Sequence, residues 1–287
     1  MPRSCPWGGL GGRRPRNDDD PPLLQRSAAT VYLHGAHVTS YVPPGGDRDV
    51  LFVSREAVFK PPKAIRGGVP LCWPQFGDMG GLPTQHGFAR NSAFELEIAT
   101  ESAATLCLKH AGDAAFPHPH ELRVAVSLTP AGALQQTVTV KNTGVEPLRA
   151  TLALHTYIRV ADVRTATVKG LASVPYLDSL DGRVRKVDNE AAVSFAGEVD
   201  RIYMGAPSSL SVADSSSSSS RTVTIATTGL PDAVVWNPWT AKAAATGDLG
   251  DNEWREFVCV EPAAAGSGPV EVAPGGEWVG GQTLSVA

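Results

Sequence analysis

An all-β fold, a sandwich or a barrel, is what this sequence predicts, and three observations predict it. Short apolar runs are separated along the chain by turn residues, and several of them alternate apolar with polar side chains. The 287 residues include 29 glycines and 23 prolines, which supply turns and interrupt helices. Sustained apolar spacing at i, i+3 and i+4 is missing, so helices should be few and short.

The elements follow in order. Residues 1–22 hold Arg3, Arg13, Arg14 and Arg16, then Asp18, Asp19 and Asp20, among glycines and prolines. The stretch lacks the apolar core of a signal peptide, and its acidic run opposes an organelle-targeting reading. A disordered extension is expected there, with an atypical transit peptide as the alternative. Residues 23–287 show no fixed repeat and no compositional break, so one domain is expected. Residues 121–128 alternate, with Leu122, Val124, Val126 and Leu128 on one face. After Thr129-Pro-Ala-Gly132 a second alternating run covers 134–140 and ends at Asn142-Thr-Gly144. Residues 150–160 alternate again, and shorter strands are expected at 222–225, 233–236, 257–260, 270–272 and 284–286. The six serines at 215–220 have no apolar surface to bury, so a flexible surface loop is expected.

Composition excludes several function classes. The formal charge of −4 offers no field for a polyanion, so nucleic-acid binding is not expected. No run approaches the roughly 20 apolar residues of a membrane helix. Cys5, Cys72, Cys107 and Cys259 lie far apart with no C-x-x-C pair, which argues against a zinc ribbon, a dithiol redox motif or a disulfide framework. Reduced thiols suit a cytoplasmic protein, with import through the N-terminal extension as the alternative.

Positive charge gathers in residues 60–90, where Lys60, Lys63, Arg66 and Arg90 face a single carboxylate, Asp78. Glycines there allow a backbone to approach a ligand closely, and arginine suits bidentate contact with phosphate or carboxylate. The segment reads as an anion-accepting wall or, more plainly, as a solvated loop with structural glycines. Neither G-x-G-x-x-G nor G-x-x-x-x-G-K is present. In the 150–160 run, Thr151, Ala153, His155, Tyr157 and Arg159 share the more polar face. His155 there is either turned toward a ligand or a structurally bonded histidine. Glu261 ends the apolar run 257–260 before Pro262, and reads as a firmly held carboxylate or a strand-terminating surface charge. His118 and His120 have H-x-H spacing, but Pro119 between them and Glu121 directly after fit a stiff loop entering a strand, so no metal is assigned.

Seven blocks then bring a family into view. They are Arg66-Gly-Gly-Val-Pro-Leu-Cys-Trp-Pro-Gln-Phe-Gly77, Leu82-Pro-Thr-Gln-His-Gly-Phe-Ala-Arg90, Ala153-Leu-His-Thr-Tyr157, Val199-Asp-Arg-Ile-Tyr203, Val234-Val-Trp-Asn-Pro-Trp239, Val258-Cys-Val-Glu-Pro262 and Pro274-Gly-Gly-Glu-Trp278. In this order, across about residues 28–287, the chain resembles the glucose-6-phosphate 1-epimerase branch of the aldose 1-epimerase superfamily. The resemblance implies a large antiparallel β-sandwich of the galactose mutarotase-like kind, with the sugar site on a concave sheet face and no metal or other cofactor. It implies His155 and Glu261 as the catalytic pair, Arg66 and Arg90 on the phosphate, and Gln85 and Asp200 on sugar hydroxyls. His86 is a further pocket candidate, Trp239 either stacks on a sugar or shapes a turn, and Lys60 and Lys63 are weaker candidates for the phosphate. Residues 246–250 are smaller and more flexible than the pattern leads one to expect.

The implied chemistry is anomer interconversion. A carboxylate at Glu261 takes the proton of the C1 hydroxyl, an imidazolium at His155 delivers one to the ring oxygen, and reclosure after C1–C2 rotation reverses the roles. Attraction across the sugar should then keep His155 protonated and Glu261 ionised, with a bell-shaped pH–rate profile. The expected partner is a small molecule, a hexose 6-phosphate. The alternatives are epimerisation of unphosphorylated aldoses and a carbohydrate-binding module without catalysis.

Overall fold

Alternation of buried and half-exposed side chains organises one of two large antiparallel sheets, and its loss marks the other. The structure, a computed structural model, describes residues 4–6, 26–215 and 221–287. Of the extension expected at 1–22, only the backbone of β1 (Ser4–Pro6) falls among these, paired with β2 (Ala28–Tyr32), which pairs with β3 (His37–Val42). Residues 216–220 of the serine tract lie outside the described residues.

Nine strands form the first sheet: β5 (Glu95–Ala99), β6 (Ala103–His110), β7 (His120–Leu128), β8 (Leu134–Asn142), β12 (Ala166–Lys169), β15 (Ala192–Val193), β17 (Ser209–Asp214), β18 (Arg221–Thr228) and β22 (Glu277–Val286). Their spatial order is β15-β12-β17-β18-β22-β8-β7-β6-β5. The alternation read at 121–128 and 134–140 is real: Leu122, Val124, Val126, Leu134, Val138 and Val140 are buried. One face of this sheet packs and the other meets solvent, which is what a two-residue period encodes.

The second sheet has eight strands: β4 (Leu71–Cys72), β10 (Leu152–Leu154), β11 (Tyr157–Arg159), β13 (Pro175–Asp178), β14 (Val184–Val187), β16 (Val199–Tyr203), β19 (Asp232–Asn237) and β20 (Phe257–Ala264). Seven run in the order β14-β13-β16-β19-β20-β10-β4, and β11 pairs with β20. A separate ladder joins β9 (Leu148–Ala150) to β21 (Val270–Val272). Leu122 and Val124 from the first sheet share one hydrophobic core with Leu154, Val235 and Val260 from the second, so the two sheets face each other as a sandwich. A smaller cluster, including Cys72, Ala153, Ile202, Val234 and Ala263, covers the opposite face of the second sheet. All eight residues of β20 are buried. Among the described residues the one α-helix is α1 (Trp239–Ala244), and none is long and apolar enough to cross a membrane.

Two strand expectations need correction. The run 150–160 is not one strand: it breaks after Ala150, and β10 and β11 are separated at His155 and Thr156. At that break His155 N–H donates to the Pro70 carbonyl, while the Thr156 amide and hydroxyl lie 2.8 and 3.0 Å from the Leu154 carbonyl. Glu261 does not end its strand, because β20 continues through Pro262 to Ala264. Pro262 pairs with Ala233 of β19, and the Leu154 carbonyl on its other side accepts from Thr156 instead, so the absent proline N–H is tolerated inside the sheet.

Candidate active site

The ladder registers assemble the site. Pairing of Ala153 with Ala263 and of Tyr157 with Cys259 places His155 directly opposite Glu261 across the break. Glu261 pairs with Val234, and Val234 with Ile202. The adjacent row runs through Tyr157, Cys259, Trp236 and Asp200. Strand periodicity therefore turns His155, Glu261, Tyr157, Trp236 and Asp200 to one face, that of the smaller cluster. Residues far apart in sequence become neighbours because each contributes one position to a shared sheet face.

His155 Nε2 lies 3.4 Å from Glu261 Oε1, with both side chains buried. The imidazole stacks on Tyr157 at 4.8 Å between ring centres and meets Trp236 and His86 edge-on at 5.6 Å each. His155 is thus less exposed than a histidine turned outward from a strand. Of the eight buried side-chain polar atoms without a partner among the described residues, three belong to this site: His155 Nδ1, Glu261 Oε2 and Arg90 Nε. Buried polar atoms are normally paired, so unmet capacity grouped around one pair of side chains marks a place for polar ligand atoms.

Burial shifts both members of the pair away from their charged forms. Burial, and then the charges of His86, Arg90 and Arg66, holds His155 well below the usual imidazole range. Burial, reinforced by Asp200 and opposed by Arg90, pushes Glu261 well above the carboxylate range. An imidazolium–carboxylate pair and a neutral pair each hold one proton, and the desolvated site favours the neutral arrangement. Burial therefore opposes the mutual attraction expected across the sugar.

The segment 66–90 wraps this face. Gly67 and Gly68 have φ of +104° and +62°, and a Cβ would fall 2.4 Å from the Phe52 carbonyl oxygen and 2.3 Å from that of Val38. Only glycine lets the backbone press that closely, and this carries Arg66 to the site. Arg66 Nε donates to Asp248 Oδ1 at 3.0 Å, and Nη1 donates to the Tyr157 hydroxyl at 3.2 Å. Gln75, fully buried, ties down the 77–85 loop by donating to the Leu82 and Thr84 carbonyls and accepting from the Gly80 and Leu82 amides. His86 Nδ1 accepts from the Gly77 amide, and burial holds the ring neutral, with its pKa lowered to about 3. Arg90 Nη2 donates to the Gln85 carbonyl.

The remaining sequence candidates divide. Asp200 is half-buried on β16, 4.0 Å from Lys242 Nζ, and burial raises its pKa. Gln85 is exposed and bonds through its backbone, and Lys60 and Lys63 are exposed. Trp239 opens α1, its amide donating to Asn237 Oδ1 and its ring packed 4.3 Å from that of Trp254, so it shapes a turn. Trp236, which sequence reasoning passed over, is the tryptophan beside His155. The 246–250 loop is anchored: Asp248 holds Arg66, Leu249 is buried, and the Gly250 amide donates to Glu253. Glu253 also accepts from the Ser54 hydroxyl and the Arg55 amide. Neither Asp248 nor Glu253 stood out in sequence, and acid pairs in a Gly-Asp loop carry no local signal for either role.

His155, Cys259 and Glu261 place potential metal-ligand atoms within 4.8 Å of one another. Burial holds the Cys259 thiol well above its ordinary pKa, which opposes the thiolate a metal would require. At the H-x-H spacing, His120 is buried, with Nε2 accepting from Trp73 Nε1 and Nδ1 beside the His118 carbonyl. Both its ring nitrogens are committed to the protein.

Known proteins resemble this chain over most of its length. The profile of the aldose 1-epimerase family matches residues 24–285. A Cenchrus ciliaris protein is 42% identical over 270 residues, covering 90% of this chain and 80% of that one. An Escherichia coli K12 protein is 32% identical over 243 residues, covering 83% and 80%. Both carry the provisional name glucose-6-phosphate 1-epimerase. A crystal structure of a Salmonella typhimurium protein, provisionally assigned as a mutarotase, superposes with a TM-score of 0.80 at 29% identity, covering 91% of this chain and 88% of that one. A sandwich with a facing histidine and glutamate on one sheet, and a family match over nearly its full length, lead to one conclusion: this chain belongs to the aldose 1-epimerase family.

Proposed function

We propose that this chain interconverts the α and β anomers of a hexose 6-phosphate, with His155 and Glu261 as its acid–base pair and Arg66 and Arg90 receiving the phosphate. The observation that carries the reading is the 3.4 Å approach of His155 to Glu261 with an unpartnered atom on each. Mutarotation needs one group to take the C1 hydroxyl proton and another to protonate the ring oxygen, and this pair supplies both with no net proton gained or lost. The two arginines on the same face, and the names of the relatives, support the phosphorylated substrate over a free sugar.

The charge states assign a task to the phosphate. Arg90 and Arg66 both depress His155, and Arg90 also opposes the rise of Glu261. A phosphate seated on these arginines offsets their charge and makes a protonated His155 less costly. Glu261 then accepts the C1 proton, His155 protonates the ring oxygen, and the ring opens to the aldehyde. Reclosure on the other face of C1 returns both protons. Asp200 and His86 border the same space and orient hydroxyls, and Gln85 at the rim closes over the ligand.

Exchange NMR between anomers tests this. Acceleration for glucose 6-phosphate well above that for glucose is expected. Equal or greater acceleration for glucose would reassign the substrate, and no acceleration for either would refute the enzymatic reading.

A further inference from the structure

Three buried polar side chains cross the interior between the two large sheets. Thr156, Gln282 and Gln136 are each at most 3% exposed. Gln136 stands on the inward face of β8 between Leu134 and Val138, and Gln282 lies directly opposite it on β22. The Thr156 hydroxyl donates to Gln282 Oε1 at 2.9 Å, and Gln282 Nε2 donates to Gln136 Oε1 at 3.2 Å. The chain ends there, since Gln136 Nε2 has no partner among the described residues. Buried amides cost stability that apolar side chains of the same shape would not, and an unmet donor adds to that cost.

What the chain holds is the opening in the site sheet. Thr156 follows His155 at the break between β10 and β11. Two backbone bonds fix the break within its own layer: His155 N–H donates to the Pro70 carbonyl, and the Thr156 carbonyl accepts from the Val260 amide. The Thr156 amide turns back to the Leu154 carbonyl at 2.8 Å in place of a cross-strand bond. Its hydroxyl, through Gln282, ties this turn to the nine-stranded sheet behind it. Neighbouring side chains point to opposite faces, so holding Thr156 inward aims His155 outward at Glu261, 3.4 Å away. Misplacing a reacting group by about 1 Å can cost roughly 10²-fold in rate, so a hold on this turn bears on the chemistry.

We propose that Gln282 is a positioning residue for His155, acting through the Thr156 hydroxyl. The proposal rests on the reading of His155 and Glu261 as the acid–base pair. Gln136→Met together with Gln282→Met removes the polar chain and keeps the interior filled. This variant should melt no lower than the parent, yet show kcat for anomer exchange lowered about tenfold with KM unchanged. Thr156→Val should lower kcat in the same way, which gives a second reading should the methionine variant fail to fold. Thr156→Ser keeps the hydroxyl and should stay within about twofold of the parent. The imidazole nitrogen resonances of His155 report on the ring without any turnover. They should move in the methionine and valine variants and stay in place in the serine variant. Absence of exchange in the parent would refute the reaction and leave this resonance test standing. Unmoved His155 resonances, rate losses that only follow lost folded protein, or a Thr156→Ser variant as slow as Thr156→Val would overturn the proposal.

Discussion

The two large sheets of this molecule are built to different rules. In the nine-stranded sheet, β7 and β8 pair along nine continuous positions, and alternate side chains face core and solvent. In the eight-stranded sheet, β10 and β11 are three residues each, β20 is buried on both faces, and the ladder opens at His155 and Thr156. The regular sheet holds the fold together. The interrupted one presents a buried histidine and a buried glutamate to each other, at a cost in desolvation that a continuous apolar sheet would not bear. The two are linked through the interior, where the Thr156 hydroxyl lies 2.9 Å from Gln282 of β22 and the Gln282 amide lies 3.2 Å from Gln136 of β8.

If that division is right, substitutions in the two sheets should fail differently. His155→Ala should lower kcat for anomer exchange by about 10²–10⁴-fold with little loss of stability, checked by exchange NMR alongside thermal melting. Leu122→Ala, in the regular sheet, should do the reverse: about 2–5 kcal/mol less stable by urea unfolding, with kcat per folded molecule unchanged. A rate loss from Leu122→Ala matching that of His155→Ala would break the comparison.

Smaller effects sharpen it. Asp248→Asn removes the carboxylate that orients Arg66 through Nε, so KM for glucose 6-phosphate should rise roughly fivefold to tenfold with kcat little changed and free-glucose exchange unaffected. Steady-state kinetics on both sugars would decide this. Glu261→Gln should abolish exchange yet stabilise the protein. The native pKa of Glu261 is raised, so the unfolded chain releases its proton above about pH 4.5 while the folded chain retains it, and stability falls as pH rises through that window. The glutamine variant escapes this penalty, so its Tm at pH 7 should exceed that of the parent by roughly 2–4 °C, with the gain shrinking toward pH 4. His155 works in the other direction: its lowered pKa withdraws stability as pH falls through about 6.5, and His155→Ala should flatten that limb of a melting-temperature profile.

Legibility in the sequence followed the same division. The strands of the regular sheet could be read with nearly correct bounds, since 121–128 and 134–140 became His120–Leu128 and Leu134–Asn142. A sheet exposed on one face writes its period into the sequence. The site strands were misread because both their faces are buried, so the alternation at 150–160 marked no outer face, and the break at 155–156 and the passage of β20 through Pro262 left no local trace. His155, Glu261, Arg66, Arg90 and Asp200 were recognisable only from motif resemblance. Trp236, Asp248 and Glu253 escaped, their roles being set by partners distant in sequence.

By itself, then, the sequence determined an antiparallel all-β chain, its turns, its regular strands and the family motifs, because these depend on periodicity and on residue types within a few positions. Tertiary structure alone decided that residues 155 and 261 face each other and that burial disfavours the charged form of both. Those outcomes arise from register and desolvation, which belong to packed strands and not to any stretch of chain taken alone.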